Sequence, residues 1–334
     1  MVLNVGVIGT GNIGTYHINR LAGQISGARV AAVYDLATER AAQLAESVGA
    51  KAHSDPAEVI TDDDVDAVVV TSPGDTHAEF ILACIARDKP VLSEKPLATT
   101  ADDGLRVLDA EVAHGRRLVQ VGFMRRFDAG YRRVKATIDE GTIGTPLLVH
   151  CVHRNPIAPD FFTSEMLPTD SVVHEIDATR WLLGAEFAAT TVLTPRRTPL
   201  GPDRLQDPQL VILETTESVI VEVEIFVNAQ YGYDVRCEVV GSEGTVELET
   251  PTSTSVTRDF LRGRSVPADW KERFDGAFHT EISQWVDGLH AGTVTGPNAW
   301  DGYAATVVAN ASVDALRSGQ RTAISLVDKP SFYA

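Results

Sequence analysis

The chain has 334 residues, more than a single hydrophobic core usually accommodates, so we expect two domains. Its formal net charge of −17 argues against nucleic acid and anionic membranes as partners, because both attract basic surfaces. The three cysteines are far apart and lack C-x-x-C spacing, which argues against a disulfide framework and a zinc site.

The N-terminal third alternates between strand and helix patterns. Apolar runs predict strands at LNVGVIG, ARVAAVYD, AKAHS, DAVVVTSP, KPVLSEKP and RLVQVGF. Helices are predicted between them at NIGTYHINRLAGQ, residues 38–48, AEFILACIARD and near residues 100–114. The alternation predicts a parallel, doubly wound α/β sheet that binds ligands at the carboxyl ends of its strands, and we assign this Rossmann dinucleotide-binding domain to residues 1–123.

A glycine-rich loop, VIGTGNIG, joins the first predicted strand to the first predicted helix. Gly9, Gly11 and Gly14 match G-x-G-x-x-G, in which the glycines permit a tight turn, the approach of a pyrophosphate and close packing of helix on strand. About twenty residues further on, the second strand ends in Asp35, whose carboxylate can accept hydrogen bonds from both adenosine ribose hydroxyls. No basic residue follows until Arg40, so the sequence predicts NAD rather than NADP; an ordinary glycine turn is the alternative interpretation.

The pattern changes after Phe123. The segment FDAGYRRVKATIDEG predicts a helix ending at Gly141, LLVHCVHRN predicts a strand, and closely spaced alternating runs dominate residues 188–257. Two further helices are predicted near residues 277–291 and 299–318. Together these patterns predict an α+β C-terminal domain with a large, mostly antiparallel sheet over residues 124–334.

No apolar stretch reaches the ~18 residues of a bilayer-spanning helix, and the chain opens on a core strand rather than on the regions of a signal peptide. We therefore expect a cytoplasmic protein without a membrane partner. A small neutral substrate fits the acidic composition better than a polyanion does.

Two of the predicted strands end in polar loops. DAVVV is followed by TSPGDTHAEF, in which Ser72 and Asp75 are interpreted either as helix caps or as part of a ligand-binding loop. The fifth strand ends in LSEKP, where Lys95 can point into the ligand crevice and bind the nicotinamide ribose and a substrate hydroxyl. Taken alone, Lys95 is equally well interpreted as a surface lysine.

The segment PTDSVVHEIDATRWLLG contains a candidate acid/base pair. If Thr169 caps a helix, Asp170 and His174 stand one turn apart on one face, with roughly 5 to 6 Å between their Cβ atoms. A histidine that titrates near neutral pH is suited to accept the hydroxyl proton when a carbinol loses hydride. The spacing alone favours a helix with a capping aspartate and a satisfied core histidine.

The order of these motifs resembles the glucose-fructose oxidoreductase and inositol dehydrogenase family over essentially the full length. The motifs are GTGNIG, SEKP, GFMRRFDAGY, CVHRNP, D-x-x-x-H before RWLLG, and YGYDVRCEVVGSEG. Each alone is weak, but EKP, D-x-x-x-H and CVHRNP at these spacings are highly specific. The resemblance implies a cis peptide bond before Pro96, an open sheet in the second domain and a homotetramer.

The resemblance also implies roles for individual residues. Lys95, Asp170 and His174 match the family's catalytic lysine, aspartate and histidine, with His174 as the general base toward the alcohol. Polyol contacts are assigned to Arg125, His153, Asn155 and Tyr233. Cofactor contacts are assigned to Gly9, Gly11, Asn12, Ile13, Gly14, Asp35, Ser72, Pro73, Glu94 and Lys95. No metal is expected, because Lys95 can polarise the reacting oxygen while His174 takes the proton.

The implied reaction is the NAD-dependent oxidation of a cyclic polyol. The preferred hypothesis is that myo-inositol is oxidised at carbon 2 to scyllo-inosose. Another inositol isomer or a cyclic sugar such as glucose is the nearest alternative, and a non-enzymatic NAD sensor is an alternative of another class. One residue departs from the family pattern: Phe278 in ERFDGAFHTEI stands where inositol dehydrogenases carry a tyrosine whose hydroxyl can reach a neighbour's substrate. This departure leaves the exact polyol open.

Overall fold

A computed structural model describes residues 2–249 and 255–334 of the chain. The described residues form two compact units. The first contains residues up to Phe123, Phe278–Thr306 and Leu326–Ala334, and the second contains Met124–Ala277 and Val307–Ser325. The division after Phe123 coincides with the end of the predicted first domain, but the last two segments of the first unit lie in the range that the sequence predicts for the second domain.

The first unit contains a parallel sheet. Its strands are β1 (Leu3–Ile8), β2 (Ala28–Tyr34), β3 (Lys51–Ala52), β4 (Ala67–Val70), β5 (Val91–Ser93) and β6 (Val119–Val121), in the order β3-β2-β1-β4-β5-β6. Branched apolar side chains are buried along both faces of the central strands, for example Val68 and Val69 in β4. Such burial is typical of a parallel sheet covered by helices. The predicted Rossmann fold is confirmed.

Helices connect these strands. They are α1 (Asn12–Gly23), α2 (Thr38–Val48), α3 (Pro56–Thr61), α4 (His77–Ala86) and α5 (Ala101–His114). The Thr100 hydroxyl caps α5 by accepting a hydrogen bond from the Asp103 N–H at 3.1 Å. The predicted capping by Ser72 and Asp75 is wrong, because a 3₁₀ turn precedes α4 and places Thr76 at its N-cap, where the Thr76 hydroxyl bonds the Pro73 carbonyl.

The hydrophobic core of the first unit explains why a late segment of the chain belongs to it. Helix α8 (Trp270–His290) begins earlier than predicted, whereas α9 (Ala299–Ser318) matches the prediction. From α8, Ile282, Trp285 and Val286 are almost completely buried in one cluster with residues of β1, β2, β4 and β5. Sequence patterns locate such an apolar helix face but do not identify the sheet on which it packs.

The second unit contains a mixed sheet. Its strands are β7 (Pro146–Arg154), β8 (Phe187–Leu193), β9 (Gln209–Thr215), β10 (Ile220–Phe226), β11 (Asp234–Gly241), β12 (Thr245–Glu247) and β15 (Thr322–Ala323), in the order β12-β11-β7-β10-β9-β8-β15. Strands β7 and β10 pair in parallel, and the other neighbours pair antiparallel. The predicted mostly antiparallel sheet is therefore confirmed. Two short strands, β13 (Val256–Arg258) and β14 (Leu261–Gly263), form a separate hairpin.

Helices α6 (Ala129–Asp139) and α7 (Val173–Leu183) belong to the second unit. A π-helical turn, Leu167–Val172, leads directly into α7. The predicted capping by Thr169 is wrong, because Thr169 lies inside this turn and its hydroxyl donates to the Glu165 carbonyl. Within residues 2–249 and 255–334, no helix is both long and apolar enough to cross a membrane.

Candidate active site

The glycine loop between β1 and α1 has the geometry that its sequence predicts. Gly9 has a φ of +103°, and a Cβ atom built on it would lie 2.6 Å from the carbonyl carbon of Thr71. A Cβ atom on Gly14 would lie 2.2 Å from the Gly9 carbonyl oxygen. Both positions therefore require glycine, one for its backbone conformation and both for the close approach of neighbouring backbone.

The space in front of α1 fits a pyrophosphate group. Apart from its two chain neighbours, no described residue comes within 4 Å of a Cβ atom built on Gly11, so the loop is open on this side. The first-turn N–H groups of Asn12, Ile13 and Gly14 face this end of the helix, where intrahelical acceptors are lacking. A helix N-terminus of this kind binds anionic phosphate through its N–H groups and its dipole.

Asp35 directly follows β2, beside the glycine loop. Its Oδ2 atom accepts hydrogen bonds from the Thr10 backbone N–H at 2.5 Å and the Thr10 hydroxyl at 2.8 Å. Its Oδ1 atom accepts from the Ala37 N–H at 2.8 Å and from Arg40 Nη2 at 2.9 Å. Burial raises the pKa of Asp35, but the hydrogen bonds from Ala37, Thr10 and Arg40 outweigh it and hold the pKa below its usual value. The carboxylate is thus ionised and firmly oriented.

Arg40 lies closer to Asp35 than the sequence predicts. It lies in the first turns of α2, and its Nε atom also donates to the Thr10 hydroxyl at 3.0 Å. About half of its side chain remains exposed. The helix predicted from residue 38 could have indicated this contact. The first turn of that helix lies close to the end of the preceding strand, where Asp35 is. The position puts an arginine beside the carboxylate that is predicted to bind the ribose.

The other predicted cofactor residues lie at neighbouring strand ends of the same unit. Ser72 and Pro73 follow β4, and the Ser72 nitrogen lies 2.7 Å from the ideal Cβ position of Gly9. Glu94 and Lys95 follow β5, and the Lys95–Pro96 peptide bond is cis, as the family resemblance implied.

Glu94 is fixed by a partner that sequence reasoning missed. Its Oε1 atom lies 2.8 Å from Nε2 of His17, a fully buried residue of α1, and its Oε2 atom accepts from the Lys95 N–H at 3.2 Å. Phe278 packs beside this pair, with its ring centroid 5.7 Å from that of His17 and 5.5 Å from that of Tyr16. In this unit Phe278 is therefore a buried packing residue against α1.

The second unit gathers the predicted polyol-binding residues around a buried ionic cluster. Arg125 Nη1 donates to Glu175 Oε1, and His153 Nδ1 lies 3.0 Å from Glu175 Oε2. The Tyr131 hydroxyl accepts from Arg125 Nη1 at 3.3 Å. Burial raises the pKa of Glu175, but the charge of Arg125 and the hydrogen bonds from His153 and Arg125 hold it below its usual value. We call Arg125, His153 and Glu175 the buried triad.

Aromatic rings surround His153 in this cluster. The ring centroid of Tyr233 lies 5.7 Å from that of His153, and the centroid of His174 lies 6.4 Å away. Burial raises the pKa of Tyr233 to about 12, so its hydroxyl keeps its proton and can donate it in a hydrogen bond. Asn155 directly follows β7, the strand that contains His153, and its N–H donates to the Phe226 carbonyl at 3.0 Å.

Asp170 and His174 are not on one regular α-helix. Asp170 lies in the π-helical turn and His174 in the first turn of α7. Hydrogen bonds from i to i+5 widen such a turn, so four residues cover less than one full turn there. Lys95 belongs to the first unit, and Asp170 and His174 to the second.

Comparison with known families covers both parts of the chain. Residues 3–123 match the NAD-binding Rossmann-fold domain of an oxidoreductase family, and residues 135–324 match the C-terminal alpha/beta domain of the same family. The chain belongs to this family. The predicted resemblance, the NAD cofactor and the NAD-dependent oxidoreductase activity are confirmed.

Individual family members resemble the chain over its full length. Inositol 2-dehydrogenase 3 of Saccharopolyspora erythraea is 51% identical over 100% of this chain and 98% of its own. Inositol 2-dehydrogenase of Burkholderia lata is 48% identical over 100% and 99%. The crystal structure of myo-inositol dehydrogenase from Lactobacillus casei in complex with NAD(H) and myo-inositol superimposes with a TM-score of 0.97, at 36% identity, and covers both chains completely.

Proposed function

We propose that this protein oxidises myo-inositol at carbon 2 to 2-keto-myo-inositol (scyllo-inosose). The observation that carries the proposal is the full-length similarity to inositol 2-dehydrogenases, in a chain whose second unit holds a polar cluster around His153. NAD, when bound, supplies the hydride acceptor at nicotinamide C4. The glycine loop and α1 hold its pyrophosphate, and Asp35 holds its adenosine ribose.

In the proposed mechanism the residues of this chain orient the alcohol and move its proton. His174 accepts the proton of the reacting hydroxyl, and Asp170 favours the imidazolium that results. Lys95 positions and polarises the reacting oxygen. Arg125, His153, Asn155 and Tyr233 provide the polar surface for the remaining hydroxyls of the ring. The homotetramer and the cytoplasmic location stay predictions of the sequence.

Substrate choice tests this proposal directly. With NAD, kcat/KM for myo-inositol should exceed that for glucose by at least about tenfold, because glucose leaves polar groups of the site without a hydroxyl partner and each unmet group costs about 1 to 3 kcal/mol. The absorbance of NADH at 340 nm measures the rates with myo-inositol, other inositol isomers and glucose. Faster oxidation of another isomer or of glucose would reassign the substrate. NAD binding without turnover of any polyol would favour the sensor.

Cofactor preference is expected to depend on Asp35 and Arg40. The Asp35 carboxylate should repel a 2′-phosphate, so the wild-type protein should strongly prefer NAD over NADP. In Asp35→Ser the preference should narrow by about 10- to 100-fold in kcat/KM, since the charge repulsion disappears while Arg40 remains to pair with the phosphate. Steady-state kinetics with both cofactors measures the ratio.

The double variant Asp35→Ser/Arg40→Ala separates the two contributions. It should lose most of the NADP activity gained in Asp35→Ser, because the cation beside the 2′-phosphate is missing. Arg29→Ala is the matched control: Arg29 is an exposed arginine of the same unit whose Nε donates to Asn4, and its loss should leave the cofactor ratio unchanged. Equal efficiency of wild-type protein with NAD and NADP would contradict the role given to Asp35.

A further inference from the structure

Glu175 occupies the centre of the buried triad. Its two oxygens are divided between two residues that are predicted to contact the polyol: Oε1 accepts from Arg125 Nη1, and Oε2 lies 3.0 Å from His153 Nδ1. The side chains of Arg125 and Glu175 are 1% exposed and that of His153 is 4% exposed. A carboxylate buried this deeply is oriented by its partners and orients them in turn.

The contacts of Nδ1 determine which ring nitrogen of His153 carries the proton. Nδ1 lies 3.0 Å from the Glu175 carboxylate, which only accepts, and 3.3 Å from Arg125 Nη2, which only donates. An unprotonated Nδ1 would place its lone pair against the carboxylate at the shorter of the two distances. A protonated Nδ1 instead donates a charge-assisted hydrogen bond to Glu175, and this bond is the stronger contact.

We propose that Glu175 is a positioning residue that holds neutral His153 in the Nδ1–H tautomer, so that Nε2 presents a lone pair to a substrate hydroxyl. Nε2 of a neutral histidine either donates or accepts, depending on the tautomer, and Glu175 makes Nε2 of His153 a hydrogen-bond acceptor. The same carboxylate holds the Arg125 guanidinium, which also lies over the rings of Tyr131 and Phe274 at 5.8 and 5.7 Å. The identity of the hydroxyl donor, a polyol, rests on the proposed function.

A matched control lies two residues further along α7. Asp177 forms a buried ion pair with Arg126, whose Nε donates to Asp177 Oδ2 at 3.0 Å. Asp177→Asn thus weakens a buried ion pair of the same helix. If Glu175 acted only through stability, Glu175→Gln and Asp177→Asn would have the same kinds of effect. The proposal requires that they differ.

The first experiment reads the tautomer without any need for activity. Protein labelled with ¹⁵N-histidine has nine histidines, and His153→Gln assigns the His153 signal in long-range ¹H–¹⁵N spectra. Wild-type protein and Asp177→Asn should show Nδ1–H at His153. Glu175→Gln should show Nε2–H, because the amide N–H₂ can donate to Nδ1 while its oxygen still accepts from Arg125. An Nε2–H tautomer in the wild type, or an unchanged tautomer in Glu175→Gln, would overturn the proposal.

A second variant covers the case in which Glu175→Gln does not fold with Arg125 unpaired. Arg125→Met/Glu175→Gln removes both charges together, which leaves no isolated buried ion. The tautomer of His153 should again change to Nε2–H, because the carboxylate is absent. Retention of Nδ1–H in this double variant would count against Glu175 as the selecting group.

Kinetics then connects the tautomer to the substrate. Glu175→Gln should raise KM for myo-inositol by about 10- to 100-fold and lower kcat much less, because a uniform binding contact is lost rather than the proton acceptor. NAD affinity, measured by titration calorimetry, should not change. Asp177→Asn should leave KM unchanged. If Glu175→Gln instead lowered kcat by about 10- to 100-fold and left KM unchanged, the positioning role would be contradicted.

The two experiments distinguish failure of this proposal from failure of the proposed function. If the wild type shows Nδ1–H and Glu175→Gln shows Nε2–H, but myo-inositol is not oxidised, the role of Glu175 stands and the substrate assignment is wrong. If myo-inositol is oxidised but the tautomer does not respond to Glu175, the substrate assignment stands and the positioning role is wrong.

Discussion

Replacing His174 by alanine should reduce the turnover of myo-inositol by about 10²- to 10⁴-fold, the usual contribution of a general base. NAD affinity should remain nearly unchanged, because the residues assigned to the cofactor belong to the first unit and His174 to the second. Absorbance at 340 nm measures turnover, and titration calorimetry measures NAD binding. His114→Ala is the control and should change neither quantity. His114 ends α5, pairs with Asp88 at 3.0 Å and is not among the residues assigned to the site.

The pH profile gives a second test of the same role. Oxidation by the wild-type protein should speed up as the pH rises, because only neutral His174 accepts the hydroxyl proton. Asp170→Asn should move this rise to lower pH, since removal of the carboxylate removes the charge that favours the imidazolium. Near-normal oxidation by His174→Ala, or a pH profile that does not depend on His174, would exclude it as the base and make Lys95 the first candidate.

Replacing Lys95 by methionine should reduce turnover by about 10²- to 10³-fold, the usual cost of losing one group that stabilises the reacting oxygen. Methionine preserves much of the length and apolar stem of lysine but removes the ammonium that polarises the substrate hydroxyl. NAD affinity should fall modestly, because the ammonium is also expected to contact the nicotinamide ribose. Single-turnover rates and NAD titration separate the two effects.

Lys51→Met is the matched control for this variant. Lys51 is in β3 of the same unit, two-thirds exposed, and pairs with Asp62 at 3.3 Å. Its loss should change neither turnover nor cofactor affinity by more than about twofold, since exposed ion pairs contribute about 0 to 1 kcal/mol. Full activity of Lys95→Met would rule out the proposed polarising role.

The secondary structure that surrounds the cofactor site follows from local sequence patterns. Helix α2 and the end of α5 lie where the apolar periodicity predicts them, and the glycine loop stands between β1 and α1. Gly9 and Gly14 could be interpreted from sequence because the backbone itself demands glycine there, through a positive φ and close backbone contact. The positive φ of Gly9 and the contact of Gly14 with the Gly9 carbonyl oxygen involve residues nearby in the chain, so a short stretch of sequence expresses them, whereas the contact of Gly9 with Thr71 depends on the fold.

The partners of the buried charges could not be derived in the same way. Glu175 follows His174 directly in HEID, and nothing local identifies Arg125 or His153 as its partners. The same holds for His17 and Glu94, which meet across a separation of 77 residues.

The sequence by itself therefore determined the family, the NAD cofactor, the two kinds of sheet and the set of polar residues available for chemistry. Only the tertiary structure decided that Arg40 reaches Asp35, that α8 completes the core of the first unit, and that Glu175 joins Arg125 to His153. The physical reason is the range of the interactions. Backbone conformation and apolar periodicity are properties of neighbouring residues, whereas a buried charge is stabilised by whichever groups the fold brings within hydrogen-bond distance.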